Sequence, residues 1–464
     1  GDVWVSQEDS CMKTLFLMCL LAAAAFGAWK YDMRTATPEQ RPVVASPRRQ
    51  PAVKPTPAPK VARPKGKLAP KTARTKIATI TNKVEEVRGL GLRRPVEVRF
   101  LTQEELAVRW KIDMKRHWPE HERLADEKAM VAFGFMSARS DLSKLVDESV
   151  GEGIAGFYEF DSKGLFVIGD HKDLGAFDQV TIAHEITHAM QDQTYDLDGM
   201  FARVEKDDDR ALVLRALVEG DAMLSESLYQ GKARLDREEL MVEAAEESLF
   251  YQSYREAPPV LGLTALFPYV QGAEWVRQLH DRQGWSGVNA AYKRLPASTE
   301  QILHPEKYTQ GDQPVSVKLP NLVPVLGKGW KQLHTNTLGE YQALVLVSGG
   351  DTSQQVYTRA AAGWEGDKYG VYSETSGAGS ALVWESRWET EKDATEFTVA
   401  LAKLHEALNQ NVYGEQLKRR NGGIALDGAD ASVRIRRVGK QVYLVVARDA
   451  EPKLADKLLT RLAN

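Results

Sequence analysis

The sequence predicts an α+β protein with two folded parts. Between about residues 81 and 312, long segments with a helical repeat of apolar residues surround a short pair of alternating, strand-like segments. From residue 313 to the C-terminus, strand-like runs alternate with helical ones. The 464 residues allow two or three domains, and 43% apolar with 27% charged residues is ordinary for a globular protein. We therefore expect a mainly helical first domain with a small sheet, followed by a separate α+β domain.

The first 29 residues have the pattern of an export segment. An apolar run follows Met12 and Lys13, as in a signal peptide or a short membrane anchor, and both interpretations stay open. Residues 1–11 are an upstream extension if Met12 is the start. Cys11 and Cys19 lie at or before this run, so the mature protein is expected to have no disulfide. We expect a protein that is periplasmic, secreted or anchored on the outer side of the membrane.

Residues 30–80 are predicted to be a disordered basic linker. There are 13 Lys or Arg and two acidic residues between positions 30 and 76, and nine of the 20 prolines fall between positions 38 and 70. Such a segment buries too little apolar surface to offset its ordering entropy. It could contact anionic lipid or cell-wall polymer, but a plain spacer is the default interpretation. Subtracting its +11 and the −2 of residues 1–29 from the total of −3 leaves −12 for residues 77–464, which argues against a nucleic-acid partner.

The folded part begins with a strand and a capped helix. Residues 96–100 alternate between apolar and polar, and Thr102 with Glu105 forms the capping box of a long helix. Residues 156–160 and 165–168 are alternating or apolar runs joined by a polar turn, which predicts a β-hairpin.

Two histidines then lie four residues apart on a predicted helix. Residues 178–193 contain neither Gly nor Pro, and His184 and His188 are one helical turn apart, offset by roughly 40°. Both imidazoles can therefore reach one metal ion from the same face of the helix. Glu185 cannot easily share the ion from its angle, but it stands where it could take a proton from water beside the metal, as a general base.

A catalytic zinc ion normally takes three protein ligands, so a third must come from elsewhere. The tight arrangement with a third histidine six residues later is excluded, because Gln191 and Thr194 stand where Gly and His are needed. Glu219 is the better candidate, on a second helix that starts near residues 207–209 with three acidic side chains. Other carboxylates that could serve are those of Asp196, Asp198 and Glu226.

The chain resembles the gluzincin-type zinc metallopeptidases, in which two histidines of one helix and a glutamate of a following helix hold the ion. It is similar in particular to uncharacterised bacterial members in three segments, residues 184–192, 216–222 and 298–308. The likeness spans about residues 84–310. It implies a zincin-like catalytic domain, a Zn²⁺ cofactor and a peptide or protein substrate. A zincin binds substrate backbone along an edge strand before the zinc helix, so residues 164–169 are expected to do so, with a purely structural strand as the alternative.

Some supporting residues depart from the thermolysin-like pattern. Met223 stands where an aspartate would orient a zinc histidine, so we consider Asp192 and Asp221 as acceptors for the ligand imidazoles, or as surface charges. A peptidase also needs a donor to stabilise the oxyanion, for which His304 is the first candidate. His304 could instead cap or pack a short helix that begins at Ser298 or Thr299. Other candidate donors are Tyr292 and Tyr308.

The C-terminal region, residues 313–464, is predicted to be a separate accessory α+β domain. Strands are expected at residues 381–388, 433–438 and 442–447, with a tight hairpin at Gly439 and Lys440. Helices are expected near residue 340, at 390–408 and at 453–462. The tryptophans expected in its core are Trp364, Trp384 and Trp388.

These patterns together favour an exported zinc metallopeptidase in which His184, His188 and Glu219 hold Zn²⁺ and Glu185 acts as base. One alternative is a zinc-stabilised, non-catalytic binding or scaffold protein of the cell envelope. Another is an amidase that uses the same site on cell-wall material.

Overall fold

The computed structural model describes residues 63–150, 154–169, 174–235, 258–408, 418–419 and 424–464. The predicted export segment and the linker as far as residue 62 lie outside these ranges. Within them the chain is a mixed α+β protein, as predicted. No helix in the described ranges is both long and apolar enough to cross a bilayer.

The first described region forms a four-stranded sheet with helices around it. Its elements are β1 (Lys67–Leu68), α1 (Lys71–Arg88), β2 (Glu97–Leu101), α2 (Gln103–His117), α3 (Glu120–Phe133), α4 (Leu142–Val150), β3 (Gly156–Glu159) and β4 (Gly164–Ile168). The strand order is β1-β2-β4-β3, with β2 and β4 parallel and the other pairs antiparallel. The predicted capping box is confirmed, since the Thr102 side chain accepts a hydrogen bond from the Glu105 N–H at 3.2 Å.

The predicted linker extends too far into the fold, because residues 63–80 are ordered. Helix α1 buries residues at helical spacing and exposes the basic side chains of its first half; the buried residues are Ala73, Ile77, Ile80, Val84 and Arg88. Ahead of it, Arg63 reaches both Asp113 at 2.6 Å and Glu159 at 2.5 Å. The high net charge of the segment led to the prediction of disorder, although the lysines and arginines share the segment with a regular apolar stripe that forms a helix.

The order of the sheet also corrects the predicted edge strand. Strand β4 pairs with β2 on one side and with β3 on the other, so residues 164–168 lie inside the sheet. Among the described strands, β3 is one edge of this sheet and β1 is the other. Strand β3 runs beside the following helix, and the main-chain N–H of Tyr158 points to that helix.

A mainly helical region follows, with three long helices among its elements. The elements are α5 (Ala176–Tyr195), α6 (Leu197–Ala202), α7 (Asp208–Ala233), α8 (Pro259–Phe267), a π-helical turn (Pro268–Gly272), α9 (Ala273–Lys293), α10 (Thr299–Leu303) and α11 (Pro305–Gln310). Helix α7 begins as predicted, with the Asp207 side chain accepting from the Arg210 N–H at 3.2 Å. Helix α7 packs on α5, α9 and the π-helical turn, which places it at the centre of this region.

The C-terminal region is a seven-stranded antiparallel sheet with helices on both faces. Its elements are α12 (Val323–Leu326), β5 (Trp330–Asn336), α13 (Gly339–Ser348), α14 (Gln355–Ala361), β6 (Trp364–Glu374), β7 (Ser380–Trp388), α15 (Glu391–Ala407), β8 (Lys418–Arg419), β9 (Ile424–Asp427), β10 (Ala431–Val438), β11 (Gln441–Arg448) and α16 (Pro452–Leu462). The strand order is β5-β6-β7-β11-β10-β9-β8. The hairpin at Gly439 is confirmed, and Trp364, Trp384 and Trp388 are all in the core, at most 1% exposed.

The two regions are in direct contact. Phe133 of α3 packs edge-on against Tyr369 and Trp384 of the C-terminal sheet, with ring centroids 5.2 and 5.5 Å apart. The Thr337 hydroxyl donates to Asp207, at the start of α7, at 2.9 Å. Packing and hydrogen bonds therefore cross the predicted boundary between residues 312 and 313.

Candidate metal centre

Helix α5 carries the two histidines and the glutamate into the interior. Apolar residues around them pack on both sides of the helix, and the polar side chains of the motif are buried as well; His184 and Glu185 are 0% exposed and His188 is 1% exposed. The two imidazole rings lie one turn apart, with their centroids 4.7 Å apart and their planes at 79°. The helical spacing therefore brings both rings to one point, as predicted.

Glu219 of α7 reaches the same point. Its Oε2 atom lies 3.2 Å from Nε2 of His184 and 3.4 Å from Nε2 of His188. One ligand atom from each of the three residues falls within 4.8 Å of the others. Metal–ligand bonds of roughly 2.0–2.1 Å in a tetrahedral arrangement place neighbouring ligand atoms about 3.3 Å apart. The three residues could therefore hold one metal ion with little rearrangement.

Close packing behind α7 fixes the position of Glu219. Gly220 faces Gly272 of the π-helical turn, where an added Cβ would overlap the Gly272 carbonyl and lie 2.8 Å from Val276. Gly272 is in turn too close to the Ala216 main chain to carry a side chain. Glycine at both positions lets the two helices approach closely, one residue away from the candidate ligand.

Two buried polar atoms at this point make no hydrogen bond. They are Nε2 of His188 and Oε1 of Glu185. Unpartnered buried polar atoms are uncommon in folded proteins, and a bound ion or water is an ordinary explanation for them. The donor set therefore passes the test of fit to a metal ion, because Nε2 of His188, which lies among the converging ligand atoms, and a carboxylate oxygen of the residue next to His184 are both buried without a hydrogen bond.

Electrostatic attraction between Glu219 and the two histidines holds the three side chains together. Burial disfavours the charged form of each, but the contact with Glu219, reinforced at His184 by Glu226, outweighs burial and raises the pKa of both imidazoles. The same histidines lower the pKa of the Glu219 carboxyl in spite of its burial. Without metal, one carboxylate thus holds two rings in place. A metal ion would take over the Nε2 lone pairs, so its binding would release protons.

Glu185 is held by one oxygen and free at the other. Its Oε2 accepts a hydrogen bond from the Tyr158 N–H of β3 at 2.7 Å. Burial raises the pKa of the Glu185 carboxyl, the neighbouring histidines opposing this only in part. A carboxylate of raised pKa is a better proton acceptor. The arrangement therefore suits the predicted role of Glu185 as a base.

Two further residues contact the histidines on their outer sides. The Oε1 atom of Gln191 lies 2.9 Å from Nδ1 of His188, and Oε2 of Glu226 lies 3.0 Å from Nδ1 of His184. From the sequence, Glu226 was a candidate only as another ligand, and Gln191 was noted only because it stands where a glycine would be needed. Helical spacing could have found both, since Gln191 is three residues after His188 and Glu226 is seven after Glu219.

The structure does not place Asp192 or Asp221 against an imidazole. Asp192 accepts from the Tyr158 hydroxyl at 2.9 Å and pairs with Lys163 at 2.9 Å. Asp221 forms two hydrogen bonds with Arg88, at 2.6 and 2.9 Å. Two residues along a helix correspond to a rotation of about 200°, so Asp221 faces away from the side of α7 that carries Glu219.

The structure also places the three candidate oxyanion donors in other contacts. His304, between α10 and α11, contacts Glu340 of α13 at 2.9 Å. The Tyr292 hydroxyl donates to Asp221 at 2.8 Å, and the Tyr308 hydroxyl donates to the Arg294 carbonyl at 2.9 Å. The alternative for His304 agrees better with these contacts, because it follows the short helix α10 and joins it to the C-terminal region.

Residues 328–456 match a family model described as a domain of unknown function, DUF8575. The matched segment begins just before β5 and ends within α16, so it covers the C-terminal sheet and leaves out the candidate metal centre. No curated protein matches the chain, and no solved structure matches it.

Proposed function

We propose that the protein is a zinc-dependent peptide hydrolase with a gluzincin-like centre. The observation that carries the proposal is the convergence of His184, His188 and Glu219, with the unpartnered Oε1 of Glu185 beside them. Two imidazoles and one carboxylate are a ligand set of catalytic zinc, which keeps one position for water. The export pattern at the N-terminus adds the proposal that the enzyme works outside the cytoplasm, on peptide or protein substrates, with its basic linker as a spacer or an envelope contact.

The residues of the centre would have separate roles in hydrolysis. His184, His188 and Glu219 would hold Zn²⁺, which acts as a Lewis acid on the substrate carbonyl and on water. Glu185 would take the proton from the attacking water through Oε1 and deliver it to the leaving amine. The Tyr158 N–H holds the other oxygen of Glu185, so the carboxylate presents the same atom to the water in each turnover.

The complete burial of the centre favours a second candidate, a zinc-stabilised scaffold. All four residues are at most 3% exposed, as is usual for a structural metal site. A structural ion needs no base, however, and a buried carboxylate oxygen without a partner destabilises a fold that has no use for it. Oε1 of Glu185 therefore gives the hydrolase the stronger support.

Zinc content and peptide hydrolysis in matched variants test the proposal. Wild type should contain about one zinc per chain and hydrolyse casein or a mixed peptide library. Glu219→Ala and His184→Ala should lose the metal, whereas Glu185→Gln should keep it and lose roughly 10²–10⁴-fold in rate. His121→Ala is the control, because its side chain is 79% exposed.

Each outcome selects a candidate. Zinc in wild type and in Glu185→Gln with no hydrolysis by either would support the scaffold. Hydrolysis of purified peptidoglycan but not of peptides, lost in Glu185→Gln, would support the amidase. Wild type without zinc would refute the metal centre itself.

A further inference from the structure

Each of the two candidate ligand histidines has a different side chain near each of its ring nitrogens. Nε2 of each ring faces Glu219, while Nδ1 faces a different side chain, Gln191 for His188 and Glu226 for His184. A neutral imidazole carries its proton on only one nitrogen, and a metal ion can bind only the other. The residues at Nδ1 therefore decide whether the Nε2 lone pair is available.

The contacts of Gln191 fix the tautomer of His188. The Gln191 amide nitrogen donates to the Val218 carbonyl at 3.0 Å, and a carbonyl can only accept. The amide oxygen must then be the atom that faces Nδ1 of His188, at 2.9 Å. Because this oxygen also only accepts, Nδ1 must carry a proton, so that in the neutral ring, the form that binds a metal, Nε2 holds the lone pair. The Nε2 atom of His188 accordingly makes no hydrogen bond with the Glu219 oxygen 3.4 Å away.

Gln191 also ties the first metal helix to the second. Val218, whose carbonyl it binds, directly precedes Glu219 on α7. One buried amide thus connects a ligand of α5 with the main chain beside the ligand of α7. Its loss would affect both the tautomer of His188 and the position of Glu219.

Glu226 imposes the same tautomer on His184 with a charged group. Its Oε2 lies 3.0 Å from Nδ1 of His184, and its Oε1 accepts from the Gln230 amide at 3.0 Å. Glu226 is seven residues after Glu219, so the two residues lie on nearly the same face of α7, with their Cα atoms about 10.5 Å apart along the axis. The His184 ring is held between them. A carboxylate at Nδ1 also makes the ring a stronger donor to a metal at Nε2.

We infer that Gln191 and Glu226 are positioning residues that hold the Nε2 lone pairs of His188 and His184 toward the ion. This inference rests on the proposed metal centre and deepens it. Gln191 acts through orientation alone, since its amide is neutral, whereas Glu226 adds charge. Substituting such a partner of a ligand histidine typically lowers metal affinity by roughly 10- to 100-fold.

The test compares four variants of the full chain. Gln191→Met keeps the length of the side chain and removes its hydrogen bonds, and Glu226→Ala removes the carboxylate. Glu226→Gln keeps an acceptor oxygen without the charge. Gln193→Ala is the matched control for Gln191, because it lies two residues later on α5 and its amide contacts the main chain of Arg93 and Arg94 instead of an imidazole.

Zinc affinity is measured by competition with a chelator, and visible absorption of the Co²⁺-loaded protein reports the ligand geometry. Urea unfolding of the metal-free forms separates loss of affinity from loss of fold. We expect Gln191→Met and Glu226→Ala to weaken zinc binding about 10- to 100-fold and to alter the Co²⁺ spectrum. Glu226→Gln should recover part of the affinity, and Gln193→Ala should match wild type.

The inference fails if wild type binds zinc and both Gln191→Met and Glu226→Ala bind it equally well. It also fails if their affinity falls only in proportion to the stability of the metal-free protein, because that result indicates a general structural role. Wild type that binds neither zinc nor Co²⁺ would instead refute the proposed metal centre, so the two failures are distinguishable.

Discussion

Replacing Asp221 should destabilise the fold without weakening metal binding. The side chains of Asp221 and Arg88 are both fully buried and share two hydrogen bonds, at 2.6 and 2.9 Å. Asp221→Ala would leave the guanidinium with Asn289 at 2.9 Å and with the face of Trp285 at 4.2 Å. Removing one partner of a buried ion pair costs about 3–5 kcal/mol, because the other charge stays buried without compensation. We expect a loss of that size in the free energy of unfolding.

Urea unfolding of the metal-free protein measures this change, and chelator competition on the folded protein measures zinc affinity. The double variant Arg88→Met with Asp221→Leu is the control, since replacing a buried ion pair by apolar residues is often neutral. It should recover most of the lost stability. If Asp221→Ala kept its stability and lost zinc affinity, Asp221 would instead be a support of the metal ligands, as we considered from the sequence.

Three further predictions concern packing, pH and the N-terminal segment. Gly220→Ala should lower the free energy of unfolding by about 1–3 kcal/mol through overpacking against Gly272. Gly231→Ala, on the same helix but with open space around it, should not lower it in the same urea titration. Burial lowers the pKa of His405 to about 3, whereas an unfolded histidine titrates near 6.5. The unfolded state therefore binds more protons, so stability falls as the pH drops below about 6.5, by about 2 kcal/mol at pH 5, and His405→Gln should flatten this part of a stability–pH curve. If the slope of stability against pH were the same in His405→Gln as in wild type, His405 would not be the source of this pH dependence. Arg63→Ala should release the segment before α1, because it removes the contacts of this segment with Asp113 and Glu159. Limited proteolysis should then cleave the segment faster than in wild type, and equal cleavage rates would contradict the anchoring role.

The local features of this protein were determined by its sequence. The His184–His188 spacing, the capping box at Thr102 and the strand-like runs of β7, β10 and β11 all depend on residues close together in the chain, and the structure contains each of them. Glu219 could also be predicted as the third residue, because its helix has a clear start at Asp207 and a motif surrounds it. The structure places it beside both histidines.

The partners of the polar residues around the centre could be seen only in the three-dimensional structure. The roles of Gln191 and Glu226 depend on how α5 lies across α7, and Asp221 turns to Arg88 from a helix 133 residues earlier in the chain. The order of residues 63–80 likewise depends on the surface that α5 and α7 offer to α1. Periodicity shows which face of a helix is apolar, but not which helix covers it, since that is set by packing between segments distant in sequence.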